Sequence, residues 1–193
     1  MAVDAQGNDI AAVAVPVTGF IGYAPLGTPG PTPVEGADPD FTLDPAFKKL
    51  GLIKVDGGPQ WSQAASGDPL EFWQQGYTIP SGLADVSVAA GLAQTDENVR
   101  SFLNGKNADA NGYMEIDGGG NAVHYAIFTE EIFKNGDIRR RWAPDGNIAT
   151  AVENQSTRGE VLGTDVTVKI NNSEEVGGNH YGEWLIPAES DAS

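Results

Sequence analysis

The side chains in this sequence that could do chemistry are few, and their spacing speaks against most reactions. Cysteine is absent and histidine occurs only at His124 and His180. That excludes thiolate catalysis, disulfides and Cys-ligated metal sites, and leaves little from which to build a histidine triad. Glu130-Glu131 and Glu174-Glu175 are adjacent carboxylates of the kind that do acid–base work. Neighbouring residues on a strand face opposite ways, however, so neither pair can flank one bond. His124 lies between Val123 and Tyr125 in a β-forming run and reads as a packed or edge histidine. Asn107-Ala108-Asp109-Ala110-Asn111-Gly112 has the alternating oxygen ligands and sharp-turn glycine of the first half of an EF-hand loop. The position of the bidentate Glu then falls on Gly118, and no second helix follows, so the segment reads as a polar surface loop. No catalytic residue, cofactor or metal ligand is assigned. Arg139-Arg140-Arg141 could touch phosphate, but on a strand the middle arginine points away from the other two. Salt bridges on a solvated face are expected instead, with Glu130 and Glu131 as complements.

The charge balance points the same way. With 27 Asp and Glu against 11 Lys and Arg, the net charge is −16. Such a surface repels nucleic acid, whose binding needs clustered cations. It suits solubility, or a wall that DNA passes without sticking. No secretory signal or membrane-spanning run is visible, so a soluble chain that meets no membrane is expected.

At 193 residues one all-β domain covering 1–193 is expected, with a flexible N-terminal arm at 1–12 and a C-terminal tail at 171–193. Val13, Val15 and Val17 alternate into a first strand that continues to Pro25. The segment 26–45 is dense in Pro and Gly and predicts a long surface loop. Asp44-Pro45 predicts an N-cap and first helical residue for a turn of helix reaching Gly51. Leu52 to Asp56 predicts a strand, Gln60 to Gln63 a strand or loop edge, and 64–69 a second polar loop. Leu83 to Ala89 alternates with period 2 and predicts a half-buried strand. Thr95 is the expected cap of the short helix that follows, with Asp96 and Glu97 on its positive end and Val99, Phe102 and Leu103 as its apolar stripe before Asn104-Gly105. Val123 to Phe133 and Ile138 to Trp142 predict a hairpin closed by a type I′ turn at Asn135-Gly136. Ile148 to Val152 and Val161 to Ile170 predict another pair, and the tail shows only a short apolar patch at Trp184 to Ile186. The sum is a mainly β fold, an antiparallel sandwich or barrel with one flanking helix.

Several stretches, in order, resemble the major tail proteins that build the tail tube of long-tailed, non-contractile bacteriophages, especially those of actinobacterial hosts. They are Val17 to Pro25, Leu50-Gly51-Leu52-Ile53, Asp56-Gly57, the loop leading to Phe72-Trp73-Gln74, Val86 to Gly105, Arg141-Trp142-Ala143-Pro144 and Val161 to Ile170. The similarity spans about Val17 to Ile170 and lies in order and spacing, not in any single motif. Where the family often has an acidic residue before the helix, this chain has Gln94. The C-terminal immunoglobulin-like domain of many members is not expected in a chain of this length.

The resemblance implies a non-enzymatic structural protein, assembled in the host bacterial cytoplasm into the virion tail. It implies stacked hexameric rings of the chain with itself around a negatively charged lumen, which holds the tape-measure protein and conducts DNA at ejection without specific binding. Other tail proteins are implied as further partners. Acidic residues on strand positions, Asp56, Glu71, Asp85 and Glu130, are the lumen candidates, and Trp61, Phe72, Trp73, Arg139 and Arg141 the subunit-interface candidates. Two alternatives remain open: a tube protein of a phage-derived injection device, or a calcium- or glycan-binding β-sandwich module.

Overall fold

The computed structural model describes residues 5–120 and 122–188, so the first four residues of the expected arm and the last five of the expected tail lie outside the described residues. Its strands are β1 (Pro16–Pro25), β2 (Lys48–Lys49), β3 (Gln60–Ser66), β4 (Leu70–Glu71), β5 (Thr78–Ile79), β6 (Leu83–Leu92), β7 (His124–Phe133), β8 (Ile138–Glu153), β9 (Thr164–Ile170) and β10 (Gly182–Ile186), with one helix, α1 (Glu97–Asn104), between β6 and β7. Among the described residues, eight strands form one antiparallel sheet in the order β2-β1-β7-β8-β9-β6-β3, with β10 on β8, and β4 and β5 form a separate ribbon.

The sheet is built on β8, which the sequence reading ends at Trp142 but which runs for 16 residues. One edge of β8 pairs with β7 from Ile138 to Asn147; its other edge pairs first with β10 and then with β9. Pro144, buried in mid-strand, lacks the N–H that a regular ladder would use. The ladder accommodates it with a bulge: from Tyr125↔Gly146 to Ile127↔Ala143, β8 advances three residues while β7 advances two. A second register shift lies between Ile148 and Thr150. The expected tail is therefore part of the sheet at Gly182–Ile186, because Arg139 to Trp142 offers it an open edge.

The sheet curls without closing. Trp61 on β3 donates from Nε1 to Thr129 Oγ1 on β7 at 3.3 Å, although three strands separate β3 from β7 in the sheet order. Ile21, Tyr23, Tyr125, Ile127, Val86, Val88, Val166, Val168 and Ile170 fill the concave side together with Val99 and Phe102 of α1. The helix is capped by Asp96, not Thr95: Asp96 Oδ1 accepts the Val99 N–H at 3.0 Å, and Gly105 ends the helix in the left-handed region. Tyr23 and Tyr125 donate to the Asn98 and Phe102 carbonyls at 3.0 and 3.1 Å, and both rings pack on Phe102.

The convex side of β1-β7-β8 is covered by the Pro-rich segment 26–47 over a second cluster of Ala24, Phe47, Ala126, Phe128 and Trp142. No helix forms at 44–51. Asp44 instead closes a turn, its carboxylate accepting the Ala46 N–H at 2.7 Å, and the chain then enters β2. Gly30 lies flat on Trp142 and Gly36 on Trp184; an added Cβ would sit 2.0 and 2.3 Å from those indoles. Leu52 to Asp56 is a strap, not a full strand. It extends the line of β3 along β6 through Lys54 N to Gly91 O and Ala93 N to Leu52 O, with one bridge at Ile53↔Leu92. The β7–β8 hairpin forms as expected, but of its turn residues only Gly136 has positive φ, so the turn is not type I′.

Arg140 ties these layers together. It is 2% exposed, donates to Glu130 at 2.7 Å, and reaches the carbonyls of Gly36 at 3.1 Å and Pro39 at 3.0 Å. Arg140→Ala would leave a half-buried carboxylate and several loop carbonyls without partners. The expected cost is about 3 kcal/mol in denaturant unfolding, with early proteolysis inside 26–45. Lys at this position is not expected to restore stability, because the planar fork is lost. Burial, with Tyr125 and Asp96 nearby, pushes the Tyr23 hydroxyl up to about 12. A group that gives up its proton more readily in the unfolded chain favours unfolding at alkaline pH. Stability is expected to hold below about pH 10 and to fall through pH 12, less steeply in Tyr23→Phe, by melting temperature against pH.

Candidate assembly surfaces

The residues expected to line a lumen or meet a neighbour fall on three parts of this fold, and the subunit's own packing uses one of them. The first is the convex face of β3-β6-β9, which no other element among the described residues covers. Strand alternation and register line up Gln60, Ser62 and Ala64 of β3, Asp85, Ser87 and Ala89 of β6, and Thr167 and Lys169 of β9 on that side. Every described side chain that these three strands place there is small or polar. Asp56, in the turn after the strap, borders a shallow recess on the same side with Ala89, Thr150, Asp165 and Thr167, and the exposed Val152 of β8 marks its edge. Lys54, 3.8 Å from Asp165 and 3.1 Å from Asn154 Oδ1, pins the strap to the β8–β9 end.

The four acidic lumen candidates do not share one surface. Asp56 and Asp85 are exposed on or beside this face, while Glu71 is exposed on β4. Glu130 is held by Arg140 beneath the Pro-rich segment, its side chain 17% exposed.

The second surface is the cluster formed by three of the five interface candidates. Arg139 forks onto Glu131 at 2.9 and 3.0 Å. Arg141 binds Glu183 of β10 and lies over the Trp61 ring, which also stacks on Tyr181 at 4.6 Å. Trp61, Arg139 and Arg141 thus stitch β3 to β7, β8 and β10 within one subunit. The opposed direction of Arg140 was legible from strand alternation, but the carbonyls it clamps come from a loop a hundred residues away and left no trace in local pattern.

Phe72 and Trp73 occupy the third surface, the β4–β5 ribbon. Every residue of 67–80 is exposed, and Trp73 is 98% exposed. Phe72 N donates to Tyr77 O at 3.3 Å, and the Ser81 hydroxyl donates to the Ser66 carbonyl at the base.

The remaining polar groups are structural. His124 Nδ1 lies 2.5 Å from Asp145 Oδ1, which also accepts from Asn171 at 3.1 Å, so this group braces the β8 bulge. Asp109 folds its own loop, accepting the Asn111 and Tyr113 N–H groups at 2.8 Å, which hold its carboxyl below the usual range. Arg100 then pins that loop to α1 through the Gly112 carbonyl. Glu130 and Glu131 do point to opposite faces, as alternation requires; Glu174 and Glu175 sit on a 3-10 turn capped by Ser173, not on a strand. Among the described residues, no group of three or more His, Asp or Glu side chains is placed to hold a metal.

No curated protein matches the chain. The family described as phage tail tube protein matches residues 6–191, which takes in every strand of the sheet and the β4–β5 ribbon. Over that span the chain belongs to the phage tail tube protein family, whose members are non-enzymatic, self-assembling structural components of the virion tail.

Proposed function

We propose that this subunit closes into rings of six that stack into the tube of a long-tailed, non-contractile phage, with the convex face of β3-β6-β9 lining the bore. The observation that carries this reading is the composition of that face: the described side chains that β3, β6 and β9 place there are all small or polar, while the other convex half is covered by a dedicated loop. Small hydroxyl, amide and carboxylate groups give a moving duplex nothing to stack on, and a net charge of −16 per copy repels its phosphates. Asp85 and Asp56 supply negative charge there, whereas Glu130 serves Arg140.

Ring closure is supplied by the two ends of the strand order. Among the described residues, the outer edge of β3 and the Val17 to Phe20 stretch of β1 have no strand beside them. Exposed edges of this kind are templates for pairing, and one edge at each side of the sheet makes a head-to-tail ring. The bore would hold the tape-measure protein before DNA, and other tail proteins would meet the terminal rings.

Because the chain has no cysteine, single introduced thiols report position cleanly. Negative-stain microscopy is expected to show rings and tubes with a central channel. A bulky maleimide is expected to label Val34→Cys on the outer loop in tubes and monomers alike, and Asp85→Cys only in monomers. A persistent monomer, or equal labelling of both sites in tubes, would overturn the reading. Calcium at millimolar concentration is expected to leave the melting temperature unchanged, since Asp109 already spends its carboxylate on its own loop. A rise would favour a calcium-binding module instead.

A further inference from the structure

The ribbon β4–β5 presents Leu70, Phe72, Trp73, Tyr77 and Ile79 to solvent, an apolar load out of proportion to two strands of two residues each. A ribbon of that size is marginal alone and gains order by burying aromatic side chains against a partner. From Gly67 to Gly82 it carries Asp68 and Glu71 and no cation.

A cleft of complementary character lies beside α1. Tyr23, Pro25, Leu26 and Val123 line a recess of about 360 Å³, flanked by Lys48 and Lys106. Among the described residues neither lysine makes an ion pair, whereas Lys54 and all three arginines of β8 do. In a chain with so few cations, two lysines bracketing an apolar recess form a local exception to its charge.

The two features face opposite ways along the strands. One row of the sheet runs Pro25, Tyr125, Gly146, Ile170, Val86. From that row β6 and β3 continue down to the Leu83↔Ser66 pair, where the ribbon departs, while Pro25 and His124 end in the other direction, at the cleft. A projection at one end and a matching recess at the other give a heterologous contact, which propagates along an axis when its two halves lie at opposite ends of the subunit and its rotation does not close.

We propose that the β4–β5 ribbon of one copy seats Trp73 in the cleft between α1 and the β1–β7 ends of a copy in the next ring, with Glu71 facing Lys48 and Lys106. This rests on the tube reading and adds the joint that stacks its rings. Glu71 then belongs to a ring-to-ring contact and not to the bore.

The test uses assembled full-length protein. Oxidation of tubes carrying Trp73→Cys with Leu26→Cys is expected to give a ladder of disulfide-linked oligomers, absent from either single variant and from dilute monomer. Glu71→Lys and Lys106→Glu are each expected to lower the tube fraction several-fold while rings persist, and the double charge swap to restore it. The swap series decides the matter if the cysteine pair does not assemble. Tubes that form without a ladder, or that are indifferent to both charge reversals, overturn this contact and leave the tube reading standing. Failure of the wild type to form rings or tubes overturns the tube reading itself, and this contact with it.

Discussion

The architecture depends on one strand serving two half-sheets. β8 carries β7 along one edge and hands its other edge from β10 to β9 at Pro144, a residue that cannot donate to either ladder. The bulge there re-aims the strand, so that its first half bears the loop-covered layer and its second half joins the uncovered one. His124, Asp145 and Asn171 brace the bend with hydrogen bonds, and Arg140 fastens the covering segment a few residues before it. A fold with one uncovered and one covered convex surface follows from this single strand changing neighbours.

The same arrangement explains where the scarce cations go. Arg139, Arg140 and Arg141 are all spent inside the subunit, on Glu131, on Glu130 with loop carbonyls, and on Glu183. At such buried or half-buried sites, removing one partner of an ion pair is costly because the other charge is left uncompensated. The further effect of these pairs is on the outside: with those guanidiniums withdrawn, the solvent-facing surface is more uniformly acidic than the overall composition implies.

Much of the fold was legible in the sequence where one physical signal dominated. Period-2 alternation placed β6 and β9, the β-forming run before Asn135-Gly136 placed β7, and the apolar stripe of Val99, Phe102 and Leu103 placed α1. Asp85 could be assigned to an outward-facing position for the same reason. Errors arose where a local signal met a competing one. Pro144-Asp145-Gly146 carries every mark of a turn, yet the neighbouring strands hold it in the sheet. Asp44-Pro45 resembles a helix start, but the pairing of Lys48 and Lys49 with β1 claims the residues that would form the helix. β10 was illegible because its exposed residues, Glu183 and Leu185, give no clear alternation of polarity; only the open edge of β8 makes it a strand. Phe72 and Trp73 could be named as contact residues but not distinguished from core, since an aromatic side chain in sequence does not reveal whether it points inward.

The flat stacking of two glycines on two indoles sets how this chain can vary among relatives. The segment 26–47 lies on the outer side of the sheet and makes few regular backbone contacts, so most of its positions can drift, lengthen or acquire new surface chemistry. Positions 30 and 36 cannot, because any side chain there collides with Trp142 or Trp184. Divergence in this region should therefore be confined between two invariant points, leaving a decorated outer rim on a conserved footing.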